Sequence, residues 1–147
     1  MNVQELLDDK AAKASSLHAV APGASVREAV RLMASSNISS ALVMENGRMA
    51  GLITLRELLR GLDMMGERLL EARAEEVMVR EPICVSPEDS IDTLRGLMTE
   101  YHITHVPVRR GEELLGILSF HDIARSAVKD ALFENDLLKK YIKNWPA

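Results

Sequence analysis

Two pairs of side chains have the residue types and the spacing either to bind a small ligand or to cap a helix. Ser119 and Asp122 form one pair, and Thr54 and Glu57 form the other, so that in each a hydroxyl is followed three residues later by a carboxylate. A carboxylate only accepts hydrogen bonds, so Asp122 could take two neighbouring hydroxyl donors of a sugar. A hydroxyl at the start of a helix, beside free backbone N–H groups, could help to bind an anion.

The same spacing fits a helix capping box, in which the hydroxyl and the carboxylate satisfy N–H groups of the first helical turn. Capping boxes favour Glu, as at Glu57, whereas the second pair carries Asp122. The extra methylene of Glu displaces its carboxylate by roughly 1.5 Å, the length of one carbon–carbon bond. Both interpretations stay open from the residues alone. If a ligand binds, Asp122 and Ser119 are predicted to mark the better site, and Thr54 and Glu57 a weak, altered or vacant one.

The two pairs occupy equivalent positions in an internal repeat with an offset of 65 residues. Eight residues of the first copy recur identically in the second without a gap, and coincidence would not keep one offset across a whole supersecondary unit. The eight residues of the first copy are Val20, Pro22, Ser25, Leu32, Met33, Ile38, Val43 and Gly51.

Each copy has the pattern of a short strand, a helix, two strands joined by a tight turn, and a last helix. The central helices are predicted to begin at Ser25 and Ser90, which are favourable N-cap residues. The tight turns are predicted at residues 45–47 and 110–112. The last helix of each copy begins at the hydroxyl residue of the pairs described above.

One β-α-β-β-α unit of about 50 residues is too small to bury both faces of its sheet, but two units can share a core. The predicted fold class is therefore α+β, with two such repeats packed as a pseudo-twofold pair and a C-terminal helical extension. The predicted boundaries are 3–66 for the first repeat, 67–128 for the second and 129–147 for the tail. The spacer at 61–77 is predicted to be helical.

Composition narrows the class of protein. The 147 residues carry a formal net charge of −4 without a clustered basic run, which argues against nucleic acid as a partner. No stretch approaches the roughly 20 apolar residues of a membrane span, so no membrane partner is expected. A single cysteine excludes an internal disulfide, and the acidic, amphipathic N-terminus is unlike a secretory signal. A cytoplasmic location is the resulting expectation.

Over about residues 3–128 the chain resembles a tandem pair of cystathionine beta-synthase (CBS) domains, also called a Bateman module. The resemblance lies in the repeat, in an apolar strand around a proline at 101–108 (YHITHVPV), and in a following motif at 116–122 (GILSFHD). That motif is similar to the family's glycine, apolar residues, Ser or Thr, two residues and Asp.

The resemblance implies an adenine nucleotide in the cleft between the two copies, with Asp122 on the ribose hydroxyls and Ser119 on phosphate. It places the adenine between the first strand and the strand that carries the proline. An apolar slot there would come from the second copy, and His105 could add a donor or a stacking ring. The predicted nucleotide-binding residues are Asp122, Ser119, His105, Ile83, Cys84, Val106, Pro107, Thr104, Thr54 and Glu57.

Three histidines raise the question of a metal site. His102 and His105 lie three residues apart on a predicted strand, which places them on opposite faces, and His121 is expected nearby. Zinc sites need convergent ligands, usually with Cys or carboxylate beside them. We therefore predict no metal and no cofactor. We also predict no enzymatic activity, because no Ser–His, Cys–His or paired-carboxylate arrangement can be identified.

The predicted function is that of a sensor. AMP, ADP or ATP is the expected ligand, with S-adenosylmethionine as an alternative, and the regulated protein is expected to be a separate chain. The resemblance also implies a homodimer. The alternative is an interaction or assembly domain of the same fold that binds no ligand. The tail is predicted to form an apolar stripe, in two helices broken near Asn135, that packs on its own domain or on a second copy. A docking surface for a partner protein is the alternative.

Overall fold

The structure, a computed structural model, describes residues 1–11 and 17–143 and is a mixed α+β fold. Helices and strands alternate in the order that the repeat predicts. The helices are α1 (Val3–Ala11), α2 (Val26–Ser36), α3 (Leu55–Met65), α4 (Ala74–Val77), α5 (Ile91–Tyr101) and α6 (Phe120–Lys143), with a 3₁₀ helix at Gly66–Glu71. The strands are β1 (Ala19–Val20), β2 (Ser40–Glu45), β3 (Arg48–Thr54), β4 (His105–Arg110) and β5 (Glu113–Ser119).

The two sheets are built alike. In the first repeat, β1 pairs in parallel with β2, and β2 pairs antiparallel with β3. In the second, β4 pairs antiparallel with β5. The strand predicted around Val85 is reduced to one parallel bridge with Val108, at the position that corresponds to Val20 and Val43. Both hairpins carry a register shift at the same repeat position, after Val43 and after Val108, so the repeat extends to this irregularity.

Local signals specify the helix starts and the turns. The Ser25 hydroxyl accepts the N–H of Glu28 at 3.1 Å, and the Ser90 hydroxyl accepts the N–H of Thr93 at 3.0 Å, which confirms both predicted N-caps. The predicted hairpin turns are also present, with Gly47 and Gly111 at φ values of 77° and 61°. Glycine adopts this left-handed conformation without the clash that a Cβ would cause.

The spacer is only partly the helix that was predicted. After α3 ends at Met65, Gly66 turns the chain with a φ of 59°, and the 3₁₀ helix and the single turn of α4 follow. The physical reason is the conformation of Gly66, which interrupts the α-helical hydrogen bonds.

The N-terminal segment of each predicted repeat packs on the other repeat. The Val3 N–H of α1 donates to the Asp89 carbonyl at 2.8 Å, and the Ala74 N–H of α4 donates to the Ala24 carbonyl at 2.7 Å. Ala24 and Asp89 are separated by the 65-residue offset, so α1 and α4 make equivalent contacts. Thus α1 covers the second repeat, whereas α4 covers the first.

Side chains confirm this exchange of covering segments. Leu7 of α1 lies directly over Gly116, and Met78, just after α4, lies over the equivalent Gly51. Each core includes residues of its covering segment. The core of the first repeat contains Val20, Ala29, Met33, Ala41, Val43, Ile53 and Ala74. That of the second contains Val3, Leu6, Val85, Leu94, Met98, Val106, Val108, Leu118 and Ile123.

The tail prediction was wrong in one respect. α6 is one continuous helix from Phe120 to Lys143, without a break near Asn135. Asn lowers helix propensity by only a fraction of a kcal/mol, and no Gly or Pro interrupts these residues. Trp145 and Pro146 lie outside the described residues. Within 1–11 and 17–143, no helix combines the length and the apolarity that crossing a bilayer requires.

Candidate functional site

A cavity of about 600 Å³ lies between the two repeats. Both repeats contribute to its walls, through the first turns of α3 and α6, the segment after α4 and the residues that lead into β4. Its lining residues are Ser39, Leu52, Thr54, Leu55, Arg56, Glu57, Arg60, Val79, Glu81, Pro82, Ile83, His102, Ile103, Thr104, His105, Ser119, Phe120 and His121. Six of the ten predicted site residues border the cavity, and Asp122, Cys84, Val106 and Pro107 do not.

The pair in the second repeat caps the start of α6. The Asp122 Oδ2 accepts the Ser119 backbone N–H at 2.8 Å, and the Ser119 hydroxyl accepts the Asp122 N–H at 3.1 Å. The two bonds form the reciprocal arrangement of a capping box. The capping interpretation is therefore confirmed for this pair, and ligand binding by the same side chains stays a prediction.

Asp122 is also held by two cations. Lys10 of α1 donates to Oδ2 at 2.9 Å, and Arg125 of α6 donates to Oδ1 at 2.9 Å. Burial by itself raises the pKa of this carboxyl, but hydrogen bonds from Lys10 and Ser119 outweigh it and hold the pKa below its ordinary value. Asp122 is thus an ionised carboxylate, only 4% exposed, with both oxygens already engaged.

Thr54 and Glu57, the pair in the first repeat, form a different set of hydrogen bonds. The Glu57 Oε1 accepts both the Thr54 backbone N–H at 2.9 Å and the Thr54 hydroxyl at 2.6 Å. The Thr54 hydroxyl accepts in turn from the N–H of Arg56, and a capping box is formed. One carboxylate oxygen therefore serves both Thr54 donors, which differs from the arrangement around Asp122.

His105 connects the two repeats. Its Nε2 lies 3.2 Å from the hydroxyl of Ser39 in the first repeat, and its Nδ1 lies 2.8 Å from the hydroxyl of Thr104. The pKa of His105 is lowered from 6.5 to about 4, mainly by burial and also by the nearby positive charge of Lys10, while the negative charge of Asp122 opposes both. The ring is therefore neutral at neutral pH and links hydroxyl groups of both halves.

The predicted adenine slot is only partly in place. Ile83 borders the cavity, whereas Val106 and Pro107 are fully buried in strand β4 within the second repeat. The Cys84 thiol donates to the Pro82 carbonyl at 3.3 Å. Burial raises the pKa of this thiol, and the positive charge of Arg109 only partly opposes that, so the thiol stays protonated at neutral pH.

Twelve of the eighteen lining residues are not among the predicted site residues, and Ser39 and Arg60 are two of them. Ser39 occupies the repeat position of Thr104, so the 65-residue offset could have identified it. Arg60 occupies that of Arg125, which was not a predicted site residue, so no such signal was available for it. Arg56 and Arg60 of α3 both line the cavity. The cavity therefore combines apolar walls, two helix N-termini and basic side chains.

Metal ligands are not grouped in the part of the chain that the structure describes, where no three His, Cys, Asp or Glu side chains could hold one ion. The histidines serve separate purposes. His102 ends α5 in a left-handed conformation with a φ of 53°, and His105 bridges the repeats.

Comparison with known proteins identifies the repeat. A family model described as the CBS domain matches residues 13–63 and 74–129. The chain is 30% identical over 123 residues to the CBS domain-containing protein CBSX3, mitochondrial, of Arabidopsis thaliana, an alignment that covers 80% of this chain and 60% of that protein. A solved structure of a protein with CBS domains from Burkholderia ambifaria has a TM-score of 0.82 and 30% identity, covering 88% of this chain and 96% of that one.

Two solved structures with ligands share the fold at lower identity. The CBS domain protein PAE2072 from Pyrobaculum aerophilum, complexed with AMP, has a TM-score of 0.69 and 24% identity, and covers 83% of this chain and 89% of its own. The CBS domain pair of protein MJ0100, in complex with 5-methylthioadenosine and S-adenosyl-L-methionine, has a TM-score of 0.75 and 22% identity, and covers 88% and 98%.

Enzymes are matched only over part of their length. The chain spans 14% of an inosine-5'-monophosphate dehydrogenase of Korarchaeum cryptofilum, at 40% identity over 68 residues. It spans 33% of the arabinose 5-phosphate isomerase KdsD of Yersinia pestis, at 34% identity over 111 residues.

Proposed function

The chain belongs to the CBS-domain family, and on this premise we propose that it binds an adenine nucleotide between its two repeats and thereby regulates a separate protein. The observation that carries the proposal is the cavity of about 600 Å³ that both repeats line. Cavities of about 300–1,000 Å³ with apolar walls and a few polar groups are typical of small-molecule sites.

The polar groups of the cavity suit a nucleoside phosphate. The first turns of α3 and α6 both border the cavity, and helix N-termini favour anions because of their free N–H groups and dipole. We propose that Ser119, Arg56 and Arg60 contact phosphate oxygens, since all three border the cavity and guanidinium groups bind phosphate with two parallel hydrogen bonds. The base would lie against the apolar side chains of Ile83 and Val79.

The ribose would bind at Asp122, as the family resemblance implies. Its hydroxyls would have to replace Arg125 at Oδ1, because Oδ2 already accepts from Ser119 and Lys10. The Arg125 side chain is 40% exposed and can move into solvent, but Asp122 is only 4% exposed and does not border the cavity, so the ribose would also have to displace neighbouring side chains. The first repeat carries Glu57, whose extra methylene displaces the carboxylate by roughly 1.5 Å, and it is therefore proposed as the weaker or vacant site.

The proposed ligands are all adenosine derivatives. AMP, ADP and ATP share the groups considered above, and S-adenosylmethionine shares the base and the ribose. The related structures with AMP and with S-adenosyl-L-methionine support this range. We propose binding without turnover, since His105 is neutral and bonded to two hydroxyls, and the thiol of Cys84 is protonated.

Regulation would work by a shift between arrangements of the two repeats. A ligand biases such an equilibrium only by its different affinity for the two states. The contact of His105 with Ser39 joins the repeats at the wall of the cavity, so a nucleotide there would strengthen or replace a bond between them. The relative position of the repeats is thus the quantity that we propose to respond.

Self-association belongs to the same proposal. The outer face of α3 exposes Leu55, Leu59 and Leu62, of which Leu59 is 70% exposed. Exposed apolar side chains at helical spacing mark a surface for a protein partner. We propose a homodimer and a cytoplasmic location, with the regulated protein as a further partner.

A second candidate function is an interaction domain of the same fold without a ligand. The closed capping boxes and the cations on Asp122 favour it, because they satisfy these side chains without a nucleotide.

Thermal denaturation separates the two functions. The melting temperature is followed while AMP, ADP, ATP or S-adenosylmethionine is added to millimolar concentration. A ligand at a hundredfold excess over its Kd stabilises the folded state by about 2.7 kcal/mol, which raises the melting temperature by several degrees. If none of the four shifts the transition and none binds in calorimetry, the interaction domain is the correct function.

A further inference from the structure

The C-terminal half of α6 carries a repeating apolar seam that its own repeat does not cover. From Ala127 to Ile142 every side chain of the helix is exposed. A single helix of this length is marginal in water unless its apolar side chains find a partner. Seven large apolar side chains are exposed here, and three of them, Val128, Leu138 and Ile142, lie in the seam at 59%, 60% and 70% exposure. The other four are Leu132, Phe133, Leu137 and Tyr141.

The spacing of this seam is that of a coiled coil. Five residues of this half are spaced at alternating intervals of three and four, which is the heptad pattern of the positions called a and d. Val128, Asn135 and Ile142 occupy the a positions, and Ala131 and Leu138 the d positions. The same seam begins one turn earlier at the exposed Ala124, where α6 still packs on the second repeat.

We propose that the C-terminal half of α6 pairs with the same helix of a second copy, as a parallel, in-register, two-stranded coiled coil over residues 128–142. The occupant is argued from self-complementarity. In this geometry Asn135 meets the Asn135 of the second copy, and an Asn at a single a position specifies a register and a dimer. This pairing deepens the self-association proposed above and is independent of nucleotide binding.

Charge selects the parallel direction. Glu134 occupies position g and Lys139 the following position e, so in a parallel pair each Glu134 lies beside the partner's Lys139. An antiparallel pair centred on Asn135 would instead bring the two Glu134 side chains together. Opposite charges at g and e stabilise one orientation and like charges oppose the other.

Two neighbouring leucines provide a matched test of the seam. Leu138 lies in it, whereas Leu137 lies at position c, away from the seam, and the two are similarly exposed at 60% and 50%. The mass of the full chain is measured by light scattering and by sedimentation. We expect Leu138→Asp to raise the dimer Kd at least tenfold and Leu137→Asp to leave it nearly unchanged, with the helical circular dichroism of the folded repeats retained in both.

Direction and register are tested by disulfide formation in a Cys84→Ser background. Cys residues at facing d positions of a parallel pair have Cα atoms within the range of 4.4–6.8 Å that a disulfide needs. We expect Ala131→Cys to form a covalent dimer under mild oxidation, and Phe133→Cys, at position f, to remain largely uncrosslinked. An antiparallel pair centred on Asn135 would not bring the two introduced cysteines together.

A charge exchange completes the experiment. Glu134→Lys or Lys139→Glu alone is expected to raise the dimer Kd about tenfold, since two attractive pairs become repulsive. The double variant is expected to recover most of the affinity.

A monomeric wild-type chain, a dimer that survives Leu138→Asp, or a loss of the dimer with Leu137→Asp would each overturn the proposal. A dimer that survives Leu138→Asp would leave self-association through α3 intact, and nucleotide binding is measured separately.

Discussion

The Nζ of Lys10 lies 2.9 Å from the Oδ2 of Asp122, and the same ammonium group donates to the Ile117 carbonyl at 2.7 Å. At the equivalent position of the first repeat, the Leu52 carbonyl accepts the backbone N–H of Val79 instead. In the second repeat a side chain of the covering helix has thus taken over the role of a backbone donor. The same side chain neutralises the carboxylate that we propose for ribose binding.

Removing this ammonium group should destabilise the protein. Lys10→Met keeps the length of the side chain but leaves the Ile117 carbonyl without its donor and Asp122 with Arg125 and Ser119. We expect a loss of about 1–2 kcal/mol in the free energy of unfolding, less than for a fully buried pair because Arg125 remains. Urea denaturation measures this loss. Lys129→Met is the control, since its ion pair with Asp9 at 3.5 Å is exposed, and a loss as large there would contradict the argument.

The two carboxylates of the capping boxes should differ in nucleotide binding. Asp122→Ala is expected to abolish the shift in melting temperature caused by the bound nucleotide, and Glu57→Ala to leave it nearly unchanged. The reason is that the family motif has Asp at this position, as at Asp122, whereas the extra methylene of Glu57 displaces its carboxylate by roughly 1.5 Å. Asp122→Asn, which keeps the shape of the side chain, separates loss of binding from loss of folding. The opposite order would place the site in the first repeat.

The free energy of unfolding should decrease as the solution becomes more acidic, because the pKa of His105 is lowered in the folded protein. Its folded pKa is about 4, below the ordinary 6.5, so the unfolded chain takes up a proton in this window and the folded chain does not. The stabilisation that comes from the neutral His105 is fully present above pH 6.5. It is lost as the pH falls toward 4, which lowers the free energy of unfolding by about 2–3 kcal/mol. Asp122, whose pKa is lowered, adds a loss in the same direction only at more acidic pH.

Urea denaturation from pH 7.5 to 4.5 measures this dependence, with His105→Gln as the matched variant. Gln can still bond the Ser39 hydroxyl but does not titrate, so its slope in this window should be smaller by the contribution of one proton. An equal slope in both proteins would show that His105 is not the titrating group.

Two equivalent glycines should respond differently to alanine. A Cβ at Gly51 would approach the Val79 carbonyl oxygen at 2.6 Å and the Met78 Sδ at 2.5 Å. A Cβ at Gly116 would meet the Leu7 Cδ1 at 2.5 Å, and that side chain can rotate away. Gly51→Ala is therefore expected to reduce the free energy of unfolding by about 1–3 kcal/mol, and Gly116→Ala by less than about 1 kcal/mol. Equal losses in urea denaturation would mean that the backbone at Val79 moves as easily as Leu7.

Local signals were sufficient for much of the fold. Ser25 and Ser90 cap the helices that they were predicted to begin, and the glycines at 47 and 111 form the predicted turns. These features depend on residues close in sequence. The two CBS repeats followed from the offset of 65 residues, which is a property of the whole chain.

Contacts between distant residues were not predictable in this way. Nothing in the local pattern shows that Lys10 reaches Asp122, because 112 positions separate them in the chain. The burial of Val106 and Pro107 depends on which face of β4 meets the core, and the motif alone does not specify that face. The Ser39 contact of His105 was likewise missed, although the repeat placed a hydroxyl at both equivalent positions.

The core of each repeat includes side chains from the N-terminal helix of the other repeat. Helix α1 contributes to the second core, and α4 contributes to the first. If the chain is cut near residue 66, the N-terminal fragment keeps α1, whose side chains pack in the core of the second repeat. The same fragment lacks α4, which contributes to the core of the first repeat. The two halves therefore cannot be produced as independent pieces at that boundary, and they should unfold together in one transition. Neither fragment should fold alone, and a mixture of the two should recover the native fold, because each fragment supplies the covering helix of the other.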